Sequence, residues 1–224
     1  MTGVRRYAVI PTRGDRAGTL GVVIDRIAPQ VDQVVVIDNS DDGQAAARLA
    51  TVGNQFEAVL FIRDPQQPPN LSALWNHGLR VVRQAAAGEP YRVAVLNDDA
   101  IVPVAWFETV AYAMHAHGCA AGGFGVTGTV HRTPGATRLD QRLPGYAFIL
   151  EGAADLMADE RFQWWCGDND LDMQARQAGG TVVLGGDPVR HLFPDKSTAE
   201  NPVLQARTAV DMRLFVEKWG FRPW

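Results

Sequence analysis

The sequence predicts an α/β fold built on a mostly parallel central sheet flanked by helices. Three observations carry this. Short apolar runs alternate regularly with amphipathic stretches through the first hundred residues. That spacing implies βαβ units with right-handed crossovers. The run Val93-Ala94-Val95-Leu96 is apolar throughout, as befits a strand covered on both faces. Early strands also end in polar clusters, and in an open α/β sheet such ends converge on one crevice.

Taken in order, Tyr7–Ile10 reads as a strand, Ala17–Ala28 as a helix, Val34–Ile37 as a strand and Gln44–Thr51 as a short helix. Ala58–Ile62 is a third strand. Leu71–Ala87 is the longest early helix, with Leu71, Leu74, Trp75, Leu79 and Val82 on one face. Arg92–Leu96 is the fourth strand and Val104–His117 a further helix. The texture then changes: 119–142 is rich in Gly and Thr, with β-type patches such as Val126–His131. Tyr146–Leu150 is another strand candidate, and Asp168–Gln177 a helix stopped by Gly179-Gly180. Thr181–Leu184 and Val189–His191 are short strands, Phe193–Pro202 is a polar loop expected to move, and Val203–Trp219 is an amphipathic helix. No repeat or linker interrupts the chain, so 1–224 is expected to be a single domain sharing one sheet.

The 224 residues suffice for a full core. Hydrophobic content of 46% and charged content of 21% are those of an ordinary globular chain. A net charge of −4 gives no general pull towards nucleic acid or anionic membranes. No run of apolar residues is long enough to span a bilayer, and the N-terminal residues lack the apolar core of a signal peptide. Two cysteines, Cys119 and Cys166, suit neither a disulfide scaffold nor a Cys-x-x-Cys site. The expectation is a cytoplasmic protein.

The chemistry concentrates in three clusters: Pro11-Thr12-Arg13-Gly14-Asp15, Asp38-Asn39-Ser40-Asp41-Asp42-Gly43 and Asn97-Asp98-Asp99. Adjacent carboxylates at a strand end suit a hard divalent cation that neutralises phosphate oxygens. Asn-Asp-Asp is equally good turn chemistry. Neither a Gly-x-Gly-x-x-Gly after the first strand nor a P-loop is present, which removes dinucleotide and P-loop readings.

In this setting the chain resembles the family 2 glycosyltransferases, whose fold is called GT-A. Pro11-Thr12-Arg13 is similar to that family's opening element, and Val35 to Gly43 to its strand followed by Asp-x-Ser-x-Asp-Gly. Asn70 to Leu79 resembles its Asn…Asn-x-Gly helix start, with Leu71 where a glycine is usual. Asn97-Asp98-Asp99 stands where the metal-binding Asp-x-Asp-like motif belongs, with Asn97 in the first acidic slot. Asp159-Glu160-Arg161-Phe162, then Asp168-Asn169-Asp170-Leu171, resembles the acceptor-side motif, its usual Glu-Asp pair reduced to Gly167-Asp168. The similarity runs in order from about residue 7 to 191.

The resemblance implies a metal-dependent inverting transfer from a nucleotide diphosphate sugar to a hydroxyl acceptor. Residues 1–103 would form the nucleotide-sugar half and 104–192 the acceptor and catalytic half, followed by 193–224 as loop and helix. Asp99 would bind Mn²⁺ or Mg²⁺ on the diphosphate, with His191 a further ligand. Asp98 would face the ribose or the metal's waters. Asp38 would accept from the base, favouring uracil; Pro11, Thr12 and Arg13 would frame it, and Asn70 and Asn76 belong to the same donor-side motif. Gly145 and Tyr146 would line the donor-sugar pocket, the glycine by close backbone approach. Lys196 and Arg190 would clamp the diphosphate.

Asp168 is the implied general base; as a residue opening a helix it also reads as a simple N-cap. Of Trp164 and Trp165, one is expected to pack and one to touch substrate. Asp170 is expected to bind acceptor hydroxyls, Asp172 to lie on a solvated helix face, and Cys166 to pack. Two rival readings are a sugar-phosphate nucleotidyltransferase, whose Gly-rich basic loop is missing here, and a non-catalytic nucleotide-sugar or glycan-binding module. The acceptor is open: a protein side chain, a glycan, a lipid-linked sugar, a small metabolite or a modified nucleic acid.

Overall fold

A computed structural model describes residues 3–56, 58–193, 198 and 201–224. Its framework is β1 (Arg5–Thr12), α1 (Ala17–Ile27), β2 (Gln33–Asp38), α2 (Gly43–Gly53), β3 (Val59–Arg63), α3 (Leu71–Ala86) and β4 (Tyr91–Leu96). It continues through β5 (Ala100–Ile101), α4 (Trp106–His117), β6 (Ala121–Phe124), β7 (Thr129–His131), β8 (Ala147–Glu151), α5 (Gly167–Gln177), β9 (Thr181–Leu184), β10 (Arg190–His191) and α6 (Pro202–Trp219).

Eight strands form one sheet in the order β3-β2-β1-β4-β8-β6-β9-β7. The pairings β3–β2, β2–β1, β1–β4 and β6–β9 are parallel, while β8 runs antiparallel to both β4 and β6, and β7 to β9. The sheet is mostly parallel and continuous across both halves. Its central strands are buried on both faces, and their alternation assigns each residue a side. Ala8, Ile10, Val34, Val36, Ala94 and Leu96 belong to one core layer, shared with α1 and α4. Tyr7, Val9, Val35, Ile37, Val93 and Val95 belong to the other, shared with α3 and α5.

Local signals explain most boundaries. Asp42 caps α2 by accepting from Ala45 N, and Asn70 caps α3 by accepting from Ala73 N. Asn201 caps α6, which stops at Gly220 in the left-handed region. Strand β6 had no signal in the sequence, because Ala-Gly-Gly-Phe has poor strand propensity. Its glycines answer to packing instead: a Cβ on Gly122 would stand 2.6 Å from Met114 Cγ of α4.

Helix α5 starts one residue earlier than expected, and its N-cap is Cys166, with φ 64°, not Asp168. Cys166 is buried, as expected of a packing residue. The solvated face expected of Asp172 is corrected: it is buried and paired with Arg176 at 2.5 Å, and Arg176 also donates to Thr137 and Gly135 O. Burial of both partners is sustained because nearly every guanidinium direction finds an acceptor.

Candidate active site

The carboxyl ends of β1, β2 and β4 open on one cavity, lined also by the turn before β8, the loop before α5, and β10. Parallel pairing in register, Thr12 opposite Asp38 and Val9 opposite Val95, brings the strand ends level. Pro11, Thr12, Arg13, Asp98, Asp99, Gly145, Tyr146, Trp164, Trp165, Asp168 and His191 all line this cavity. These eleven of the expected site residues therefore meet in one place.

On the wall formed by the ends of β1 and β4, Thr12 Oγ1 donates to Asp98 Oδ2 at 2.6 Å. Burial pushes the Asp98 carboxyl up to about 6, against the opposing effects of Thr12 and Arg16. Asp99 is buried, and its Oδ2 accepts from Arg16 Nη1 at 2.7 Å. His191 Nε2 lies 3.2 Å from the other oxygen, Oδ1, yet makes no hydrogen bond to it, so Oδ1 is buried without a donor. The His191 ring stacks on Tyr146, with centroids 4.5 Å apart and planes at 25°. Tyr146 is held in turn by its hydroxyl donating to Asp187.

On the other wall, Asp168 sits in the first turn of α5. Gly145 packs so closely on it that any Cβ there would overlap Asp168 Oδ2. Desolvation raises the Asp168 carboxyl above the ordinary carboxylate range, opposed by the nearby Arg142 charge and by backbone N–H groups. The close backbone approach expected at Gly145 is thus made to Asp168.

The Trp164–Trp165 loop is fastened from two sides. From α3, Leu71 N and Ser72 Oγ donate to the carbonyls of Gln163 and Phe162. From α6, buried Asp211 accepts the successive N–H groups of Gln163, Trp164 and Trp165, and Arg207 Nε at 2.9 Å. Three consecutive amides converging on one carboxylate make an anion nest. Both indole N–H groups reach Thr198 Oγ1, at 2.8 and 3.3 Å, while Trp165 also packs against Trp224.

Several expected site residues are placed elsewhere. Asp170, in the first turn of α5, is fully buried and accepts from Asp159 N, Gln174, Trp219 and Lys218; it does not line the cavity. Asn76 is buried and bridges Ala158 N, Ala158 O and Glu160. Asn70 is occupied as the α3 cap and by Glu160 O. Asp38 ends β2 beside Thr12 with Oδ1 on Ser40 N, and the adjacent cavity wall is Asn39. Arg190 is exposed on β10, and Lys196 lies outside the described residues. Sequence reasoning missed Arg16, Arg142 and Trp75, all of which line the cavity. No local pattern marks them, since each is brought in by an element remote from its partners.

Among the described residues, no three His, Cys, Asp or Glu side chains converge as a complete metal cage. No described helix is long and apolar enough to cross a membrane.

The profile of a family described as "Glycosyl transferase family 2" matches residues 7–155, two thirds of the chain. No curated protein matches by sequence. Among solved structures, residues 1–349 of Staphylococcus aureus TarS superpose with a TM-score of 0.60 at 13% identity, over 91% of this chain and 65% of that one. A mannosyltransferase from Pyrobaculum calidifontis, PcManGT, solved with GDP-Man and Mn²⁺, gives 0.61 at 12% identity, over 98% and 66%. TarS 1–349 is also known with UDP-GlcNAc, at a TM-score of 0.56 and 12% identity, over 96% and 71%. The chain thus spans less than two thirds of the first TarS structure's length, and those likenesses establish a shared GT-A fold. With the profile matching from β1 past β8, the chain belongs to glycosyl transferase family 2.

Proposed function

We propose that this chain is a metal-dependent, inverting glycosyltransferase that moves a sugar from a nucleotide diphosphate sugar, with UDP favoured, to a hydroxyl acceptor. The observation that carries this reading is the meeting of Asp98, Asp99, His191 and Asp168 around one cavity. Asp99 Oδ1 is a buried acceptor without a donor, 3.2 Å from an imidazole nitrogen. Neighbouring ligands about 2.1 Å from one octahedral ion stand about 3 Å apart. Asp99 and His191 would therefore hold a Mn²⁺ or Mg²⁺ ion through one oxygen and one nitrogen.

When bound, the ion supplies Lewis-acid stabilisation to the departing diphosphate. The chain's own residues do the rest. Pro11, Thr12 and Arg13 frame the nucleotide, with Asn39 at the end of β2 completing that wall. Arg16 holds Asp99 so that its unpartnered oxygen faces His191. Asp168 takes the proton of the acceptor hydroxyl; desolvation makes its carboxylate a stronger base than a solvated one. One base and direct attack give inversion. The complexes of TarS with UDP-GlcNAc and of PcManGT with GDP-Man and Mn²⁺ support a nucleoside diphosphate sugar donor.

Thermal-shift titration with UDP, GDP, dTDP and CDP, each with and without Mn²⁺, tests the proposal. A ligand that binds only the folded state raises its melting temperature. A manganese-dependent rise selective for one nucleotide and lost in Asp99→Ala is expected; no rise with any of the four overturns the reading.

A further inference from the structure

Three arginines line the cavity, and two of them, Arg16 and Arg142, stand in different circumstances. Arg16 is committed to Asp99 at 2.7 Å, on the nucleotide wall. Arg142 lines the cavity on the Asp168 wall and makes no ion pair with a carboxylate among the described residues. It is placed there by structure: its guanidinium lies 5.0 Å over the Trp224 ring, and Trp224 packs on Trp165. A cation stacked on an aromatic face keeps its in-plane N–H donors free for a planar or tetrahedral oxyanion. The same wall carries Trp164 and Trp165, whose faces suit the apolar surface of a sugar or polyol. The half-buried Arg142 charge draws down the basicity of Asp168. An anionic ligand on Arg142 offsets that effect, restoring the carboxylate's affinity for the acceptor proton.

We infer that the acceptor is an anion: a hydroxyl compound carrying a phosphate or carboxylate close to its nucleophilic oxygen, read by Arg142 while Asp168 takes the proton. The inference rests on the proposed assignment of the Asp168 wall to the acceptor. It narrows the acceptor to oxyanion-bearing polyols or sugars and removes neutral glycans and unmodified protein hydroxyls.

The test uses the full chain saturated with UDP and Mn²⁺, so that the donor's phosphate positions are filled. Glycerol 3-phosphate, glycerate and neutral glycerol are titrated separately while tryptophan emission is recorded, since displacement of Arg142 alters the environment of Trp224. Glycerol 3-phosphate or glycerate should give a saturable change, weaker at high salt, and glycerol none. Saturation by only one of the two anions identifies the phosphate or the carboxylate as the recognised group. In Arg142→Gln the half-saturating concentration should rise at least tenfold, with partial recovery in Arg142→Lys. UDP binding by the variant, followed by thermal shift, reports whether the fold is intact. The inference is overturned if neither anion binds, if glycerol binds as well, if Arg142→Gln binds normally, or if anions bind only when UDP is left out. Failure of UDP itself to bind would instead strike the donor reading.

Discussion

Asp99 Oδ1 and His191 Nε2 face each other at 3.2 Å across a two-residue antiparallel ribbon, in which His191 of β10 pairs with Ala100 of β5. Neither residue is near the other in sequence, and the β5–β10 pairing is what brings them together. Leu192 N donates to Asp99 O at its edge, which locks the register. The tilt of the imidazole is set independently, by its stack on Tyr146 and the bond from Tyr146 to Asp187.

Replacing His191 by Ala should weaken Mn²⁺ binding about 10–100-fold, the scale seen when a metal site loses support. Asp99→Asn should lower kcat by about a hundredfold or more. Isothermal titration with Mn²⁺ in the presence of UDP checks the first, and steady-state kinetics the second. Unchanged Mn²⁺ affinity in His191→Ala would remove His191 from the metal site.

Asp168→Asn should cut turnover by about 10²–10⁴ while UDP binding is retained, the range typical of a general base. The carboxylate is the working form, and burial raises its pKa. Activity should therefore fall as pH drops, with the acid limb of kcat/KM above the ordinary Asp value of about 3.9. A profile flat down to that value would exclude Asp168 as the base.

Gly145→Ala is expected to damage catalysis without unfolding the protein. Its methyl group would overlap Asp168 Oδ2 and push the carboxylate off its position. A misplacement of this kind costs about a hundredfold in rate. The signature is a kcat loss with the thermal shift by UDP preserved; full activity would mean that Asp168 has room to move.

Asp98 makes a pH-dependent contribution to the stability of the metal-free protein. Its carboxyl is raised from an ordinary 3.8 to about 6 by burial, so the fold favours its neutral form. That contribution is complete below the unfolded value and is lost as pH rises through about 6. The difference corresponds to about 3 kcal/mol. Asp98→Asn should consequently melt higher than the parent at pH 8 without metal or nucleotide, and the gap should close near pH 4. Equal melting temperatures at pH 8 would contradict the assignment.

Asp211→Ala leaves three amides of the tryptophan loop and the Arg207 guanidinium without their carboxylate. Loss of one partner from such a buried site costs about 3–5 kcal/mol. Urea unfolding should show that loss, and an effect below 1 kcal/mol would mean that the loop is held by α3 alone.

The alternating strands and helices of the first half were legible because their cores are covered on both faces and their caps are local. Val34 to Asp38 and Val93 to Asp99 carry both the strand and the polar end that opens the site. In the second half, β6 was invisible, since Gly122 answers to the close approach of α4 and Gly123 to that of Leu143 and Pro144. Asp170 and Asp172 misled for a related reason: acidic residues near a helix start look solvated or functional, whereas α6 and Arg176 bury both in pairs.

What the sequence by itself determined is the order of elements, the family resemblance, and the identities of Asp99, Asp168 and His191 as residues of interest. These follow from periodicity and from motifs whose parts lie within a few residues of each other. Only the tertiary structure decided which carboxylates face the cavity, that Asp99 keeps an oxygen towards His191, and that Arg16, Arg142 and Trp75 join the wall. Those outcomes depend on burial, strand register and charge partners contributed by distant segments, and one-dimensional spacing carries no record of them.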